Sequence, residues 1–127
     1  MKVINENDLI GTERDVKFKE GTSIRMILEK DEMGFSFHKT IIPKGKKGHW
    51  HYKYHKESCY CIQGKGILTN LTTKEQHKIN VGDIYILDNH DNHTFESLED
   101  VVLISVFNPP IKGDEIHQKD GSYNIYI

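Results

Sequence analysis

The chain has 127 residues, 36% hydrophobic and 28% charged, with 17 basic against 19 acidic side chains and a net charge of −2. That length suits one domain with its own core, and the charge balance offers no basic excess for nucleic acid and no cationic block for a membrane surface. Apolar runs do not exceed four residues, as in Ile84–Leu87 and Val101–Ile104, far short of a bilayer span.

The polar stretch from Met1 to Asp8 contains no apolar signal segment, which predicts a cytoplasmic protein. No linker, low-complexity tract or repeat interrupts the sequence, so a single domain over 1–127 is expected. Residues 5–10 read as a short helical turn. After it the pattern is all β, with strands predicted over 14–18, 23–29, 34–42, 49–54, 57–62, 66–71, 75–79, 84–87, 93–97 and 101–107. These stretches are rich in Val, Ile, Phe, Tyr and Thr. Turn residues part them, among them Pro43-Lys44-Gly45, Gln63-Gly64-Lys65-Gly66 and Asn80-Val81-Gly82-Asp83. Many short strands with regular turns predict a sandwich or barrel.

Two cysteines, Cys59 and Cys61, share one face of a predicted strand. Their spacing fits neither a disulfide framework nor a zinc pair, and reduced, partly buried thiols are expected. Five of the eight histidines fall in two clusters, His49, His51 and His55 in one and His90 and His93 in the other. In an extended segment His55 and Glu57 point the same way, and imidazole with carboxylate is half of a site for a first-row divalent metal. His49 and His51 taken alone read as a solvated polar strand. Glu57 opens the apolar run Cys59-Tyr60-Cys61-Ile62, so its carboxylate is expected to be buried and to need a partner.

Glu57 followed by Gly64, and Gly82 followed by Tyr85 where a ligand histidine is usual, resemble the two motifs of the cupin superfamily. The resemblance implies a small double-stranded β-barrel, or jelly roll, with a metal in its mouth. The flanking segments sharpen it. Gly11-Thr12-Glu13-Arg14-Asp15-Val16, Met33-Gly34-Phe35-Ser36-Phe37-His38 and Tyr60-Cys61-Ile62 are similar to ectoine synthases. So are Tyr85-x-Leu87-Asp88-x-His90-Asp91-x-His93, Val106-Phe107-Asn108-Pro109-Pro110, and the tail Gly113-x-Glu115-x-His117 with Asp120-Gly121-x-Tyr123. These motifs run in order from residue 11 to residue 123.

The resemblance implies a metal-dependent hydro-lyase that cyclises N-acetyl-L-2,4-diaminobutyrate with loss of water, making a compatible solute against osmotic stress. Implied metal ligands are Glu57, Tyr85 and His93, with Fe(2+) or another divalent first-row metal as cofactor. Oxygen donors with one imidazole suit Fe(II) or Mn(II) better than a thiophilic ion. An isolated Tyr85 would read as a core tyrosine; its place in the motif makes it a ligand. Arg25 and Thr40 are implied to grip the substrate, with Tyr52, Leu87 and Phe107 also against it. Arg25 could equally be a surface charge and Phe107 plain core. Tyr52 and Glu115 are candidates for proton transfer, and His55 and His117 for lining the cavity or joining the catalysis. Strict alternation sets Tyr52 opposite His55, so a bend near 52–54 is required. A homodimer is implied.

The chain departs from the family pattern in the hairpin Gln63-Gly64-Lys65-Gly66 and at Tyr54. Gly21 stands where the family carries Trp, which predicts a cavity lacking one aromatic wall. Two other readings stay open: a non-catalytic metal cupin that binds a small zwitterion, and a related cupin lyase or cyclase with another small substrate.

Overall fold

A computed structural model describes residues 1–113. Two short 3-10 turns, η1 (Glu6–Asp8) and η2 (Glu29–Asp31), accompany ten strands. The strands are β1 (Asp15–Phe18), β2 (Gly21–Ile27), β3 (Ser36–Ile42), β4 (Lys47–His51), β5 (Lys56–Gln63), β6 (Gly66–Asn70), β7 (Gln76–Ile79), β8 (Ile84–Leu87), β9 (Asn92–Ser97) and β10 (Val101–Asn108). They form a six-stranded sheet in the order β1-β2-β3-β10-β5-β8 and a four-stranded sheet in the order β4-β9-β6-β7. Every described strand pairing is antiparallel.

All ten predicted strands are present, with shifted ends. The stretch expected to run as strand to residue 29 ends at Ile27, and η2 takes over. Arg14 grips both carboxylate oxygens of Asp31 at 2.9 and 3.2 Å, and Asp31 also accepts the Leu28 amide. These bonds turn the chain despite its apolar side chains. The turn expected over 5–10 is the narrower η1, capped by the Asn5 side chain on the Asn7 amide.

Alternation places the core. Along β5, Glu57, Cys59 and Cys61 are buried while Tyr60 and Ile62 face outward. The inner faces of both sheets close over Leu28, Ile42, Trp50, Cys59, Leu68, Phe95, Leu103 and Phe107. Both cysteines are free and buried, as expected of reduced thiols. Gly64 turns the chain at φ +84°, and a Cβ there would run into the Asp100 carbonyl, so this cupin-motif position requires glycine. No described helix is long and apolar enough to cross a membrane.

Candidate functional site

The six-stranded sheet carries the chemistry. A cavity of about 400 Å³, counting its open mouth, is lined by Phe18, Ser23, His38, Thr40, Ile42, Trp50, Tyr52, Glu57, Cys59, Tyr85, Leu103, Ser105 and Phe107. The structure thus brings Thr40, Tyr52, Glu57, Tyr85 and Phe107 to one cavity.

Register explains how residues distant in sequence meet. Cys59 pairs with Tyr85 across β5 and β8, which makes Glu57 the diagonal neighbour of Tyr85 on the same face. Ser105 on β10 lies beside both Cys59 and His38. Thr40 Oγ1 and Ser105 Oγ are 3.1 Å apart, and Cys59 Sγ is 3.6 Å from Ser105 Oγ.

Glu57 is 8% exposed. Burial raises its carboxyl to about 8, against which the hydrogen bonds from Cys59 and Ser105, both neutral groups, only partly act. Burial also drives the Tyr85 phenol well above its usual range, and the neighbouring ionisable groups of Cys59 and Glu57 push it the same way. His93, on β9, is buried, and its Nδ1–H donates to the Asp91 carbonyl at 2.8 Å. That bond leaves a lone pair on Nε2. Burial lowers its pKa to about 4, so it is neutral near pH 7. A buried carboxyl hydrogen-bonded by neutral groups, a phenol held protonated and a neutral imidazole with a fixed tautomer together suit a divalent cation. Among the described residues no three His, Cys, Asp or Glu side chains gather as a metal cluster. The set reaches three donors only by counting the Tyr85 phenol.

His93 and Leu87 line an adjoining depression with Asn70, Glu75, His77, Asp88 and Asp91, not the main cavity. His93 connects the two: its ring lies 6.1 Å from that of Tyr52, which belongs to the cavity wall.

The required bend is present. Residues 52–55 leave the strand between β4 and β5, with bends at 53 and 54. Tyr52 and His55 are consequently both buried. His90 holds this loop, its Nδ1 donating to the Tyr52 carbonyl at 2.9 Å. His55 lies edge-on to Phe107, with ring centroids 5.8 Å apart, and does not line the cavity itself. His49 is exposed and pairs with Asn92, as its polar-strand reading predicts.

Arg25 is 2% exposed, which removes the surface-charge reading. Its Nη1 donates to the Gly113 carbonyl at 2.6 Å, and its Nε lies 3.5 Å from Ser23 Oγ. The guanidinium therefore stands behind the Ser23 wall rather than in it. Glu115 and His117 lie outside the described residues.

Gly21 does not itself line the cavity, and a Cβ there would strike the Ile41 carbonyl across β2 and β3. Phe18 does line it, packed edge-on against Trp50 with centroids 6.2 Å apart. Four polar cavity groups went unassigned in the sequence, Ser23, Ser105, Cys59 and His38. Only His38 stood inside a recognised motif, and only strand pairing reveals that it faces the cavity.

Comparison with known proteins gives one answer. The family model described as ectoine synthase matches residues 1–126. An L-ectoine synthase from Desulfosudis oleivorans is 44% identical over 126 residues, covering 98% of each chain. The crystal structure of ectoine synthase from P. lautus superposes with a TM-score of 0.89 at 34% identity, covering 100% of this chain and 92% of that one. The Cnp3 cupin domain of Schizosaccharomyces pombe matches at TM-score 0.60 and 17% identity, over 69% of this chain and 64% of that one, and shows the fold alone. The barrel is thus a cupin barrel, and with a family match running almost end to end the chain belongs to the ectoine synthase family.

Proposed function

We propose that this chain is a working ectoine synthase, a lyase that closes N-acetyl-L-2,4-diaminobutyrate into a cyclic amidine. The observation that carries this is the cavity itself, in which Glu57, Tyr85, Tyr52, Thr40 and Phe107 converge inside a fold of that family.

In the reaction a C–N bond forms between the α-amine and the amide carbonyl carbon. The carbonyl oxygen leaves as water, taking both hydrogens of the neutral amine. A closed cavity contributes by holding the flexible substrate folded, so that amine and carbonyl meet. Phe107 and Trp50 supply apolar wall. Thr40 offers a hydroxyl to the amide, and Arg25 places a buried positive charge behind the wall for the substrate carboxylate. Tyr52 is the proton carrier from the described residues, with Glu115, His55 and His117 as its partners.

Glu57, Tyr85 and His93 would hold the metal, Fe(2+) by the character of the donor set. When bound it supplies a Lewis acid for an amide carbonyl, which is otherwise a poor electrophile. The residues' own contribution is to present donors at low proton cost: His93 is already neutral, and the Glu57 carboxyl gains a counter-charge its neutral neighbours do not provide.

The same reading makes the protein cytoplasmic and its product a solute for osmotic stress. It also makes the protein a homodimer, supported by exposed Tyr60, Ile62, Ile84 and Ile86 along β5 and the edge strand β8.

The test is iron-loaded protein given N-acetyl-L-2,4-diaminobutyrate. Ectoine should appear, with one metal per chain lost in Glu57→Ala, Tyr85→Ala and His93→Ala. Binding without cyclisation would make the chain a solute-binding cupin, and unchanged iron in all three variants would remove the ligand assignment.

A further inference from the structure

We propose that His38 is a further substrate-contacting residue, whose Nε2 accepts a hydrogen bond from the amino group of the bound substrate. The proposal deepens the cyclase reading and rests on it.

His38 sits in the middle of β3, between Arg25 on β2 and Ser105 on β10. Its ring stacks on Phe107, centroids 5.2 Å apart and planes 27° from parallel, and it lines the cavity. The side chain is 1% exposed, yet Nε2 has no hydrogen-bond partner among the described residues. Buried polar atoms are nearly always satisfied, and one left open on a cavity wall is a place for a ligand atom. The nearby hydroxyls of Thr40 and Ser105 bond to each other.

The chemistry selects which ligand atom. Burial, with Arg25 and His55 beside it, holds the imidazole at about 3, so the ring is neutral at working pH. A neutral ring is a poor anion site, and the carboxylate is better served by the Arg25 charge. An amine must instead be held by an acceptor as it approaches the carbonyl. In the wall, Glu57 and Tyr85 are assigned to the metal, and the His38 lone pair is the buried acceptor with no partner among the described residues.

The experiment compares substrate with 4-acetamidobutyrate, which lacks the α-amine, and with N-acetyl-1,3-diaminopropane, which lacks the carboxylate. Binding of each to the metal-loaded protein is measured for wild type, His38→Leu and His38→Gln. His38→Leu should weaken substrate binding about tenfold or more, His38→Gln should recover much of it, and the penalty should vanish for 4-acetamidobutyrate alone. Melting temperature reports whether each variant folds. Should His38→Leu fail to fold, the His38 nitrogen resonances of the zinc-loaded wild type decide, since they should move with substrate and not with 4-acetamidobutyrate. Equal binding in all three proteins, a penalty that survives loss of the amine, or silent resonances would overturn the proposal while leaving the cyclase intact. A wild type that neither binds nor cyclises the substrate would remove both.

Discussion

The two sheets bury polar groups in opposite ways. In the four-stranded sheet the buried polar side chains are His93 and Ser97, and both bond to backbone. Ser97 serves the Pro43 and Lys46 carbonyls and the Lys46 amide, tying the β3–β4 turn to the barrel. Around them are Trp50, Leu68, Ile79 and Phe95, which pack. In the six-stranded sheet Ser23, Arg25, His38, Glu57, Cys59 and Ser105 line or back one cavity. Arg25 bonds to the Gly113 carbonyl, but the contacts of Arg25 with Ser23 and of Ser105 with Thr40 and Cys59 run from side chain to side chain, and His38 Nε2 has no partner among the described residues. Apart from His93, whose Nε2 is left open for the metal, the four-stranded sheet spends its buried polarity on architecture, and the six-stranded sheet holds more of it in reserve for a ligand. Such reserve costs stability in the empty protein, which makes the contrast measurable.

The largest effect belongs to Glu57. Glu57→Gln should reduce metal affinity by at least about a hundredfold, since even groups behind a ligand are worth ten- to a hundredfold. Stability of the metal-free protein should move the other way. The Glu57 carboxyl stands at about 8 in the fold against 4.5 for an ordinary Glu. Between those values the folded chain binds more protons than the unfolded one, so stability falls as pH rises. His38, at about 3, and His93, at about 4, bind fewer protons folded than unfolded below 6.5. They make stability fall as pH drops below 6.5, and between 4.5 and 6.5 the two histidines outweigh the single carboxyl. Chelator-treated wild type should therefore melt highest near pH 6.5 and lose about 1 kcal/mol by pH 8. Glu57→Gln should erase that upper limb and keep the lower one. An upper limb that survives the substitution would break the idea that Glu57 is the strained member of the cavity.

The division between the sheets was only partly visible in the sequence. Period-two burial along β5 follows from Glu57-Ser58-Cys59-Tyr60-Cys61 because alternation is local, and local patterns need no knowledge of the fold. The bend between Tyr52 and His55 was demanded by the same arithmetic. Arg25 and His38 were harder. Each faces inward because of which strand lies beside it, and β3 meets β10 across more than sixty residues of sequence. Phe18 shows the limit most plainly. A position-by-position comparison looks for the lost aromatic at residue 21, whereas the β1–β2 hairpin delivers an aromatic to the rim from residue 18.

A paired substitution sharpens the comparison at smaller scale. Ile79→Ala, in the packing sheet, should cost about 2–5 kcal/mol of stability and leave KM of the folded protein unchanged. Ile79 is buried, pairs with Gly66 and does not line the cavity. Thr40→Val, in the binding sheet, keeps the shape and removes one hydroxyl. It should cost about 1 kcal/mol or less of stability, because its bond to Ser105 is a single neutral one, yet raise KM several-fold. Equal effects of the two on KM would mean that the sheets do not divide their labour.

The smallest effect lies at the rim, where one aromatic ring can be tried at two positions. Phe18 is half-buried and meets Trp50 edge-on, planes 74° apart. Phe18→Ala removes that contact, a loss of about 0.5–1.5 kcal/mol beyond the area it buries, and should raise KM a few-fold with kcat held, because the ring serves to enclose substrate. Phe18→Trp keeps an aromatic wall and should bind substrate as well as the parent. Gly21→Trp introduces the same indole, but its Cβ meets the Ile41 carbonyl. To fit it, β2 must move away from β3, and with it Ser23 and Arg25, the segment that backs the cavity. Gly21→Trp should therefore lower the melting temperature and raise KM. A lowered KM at unchanged stability would show that residue 21, and not Phe18, sets the open side of the site.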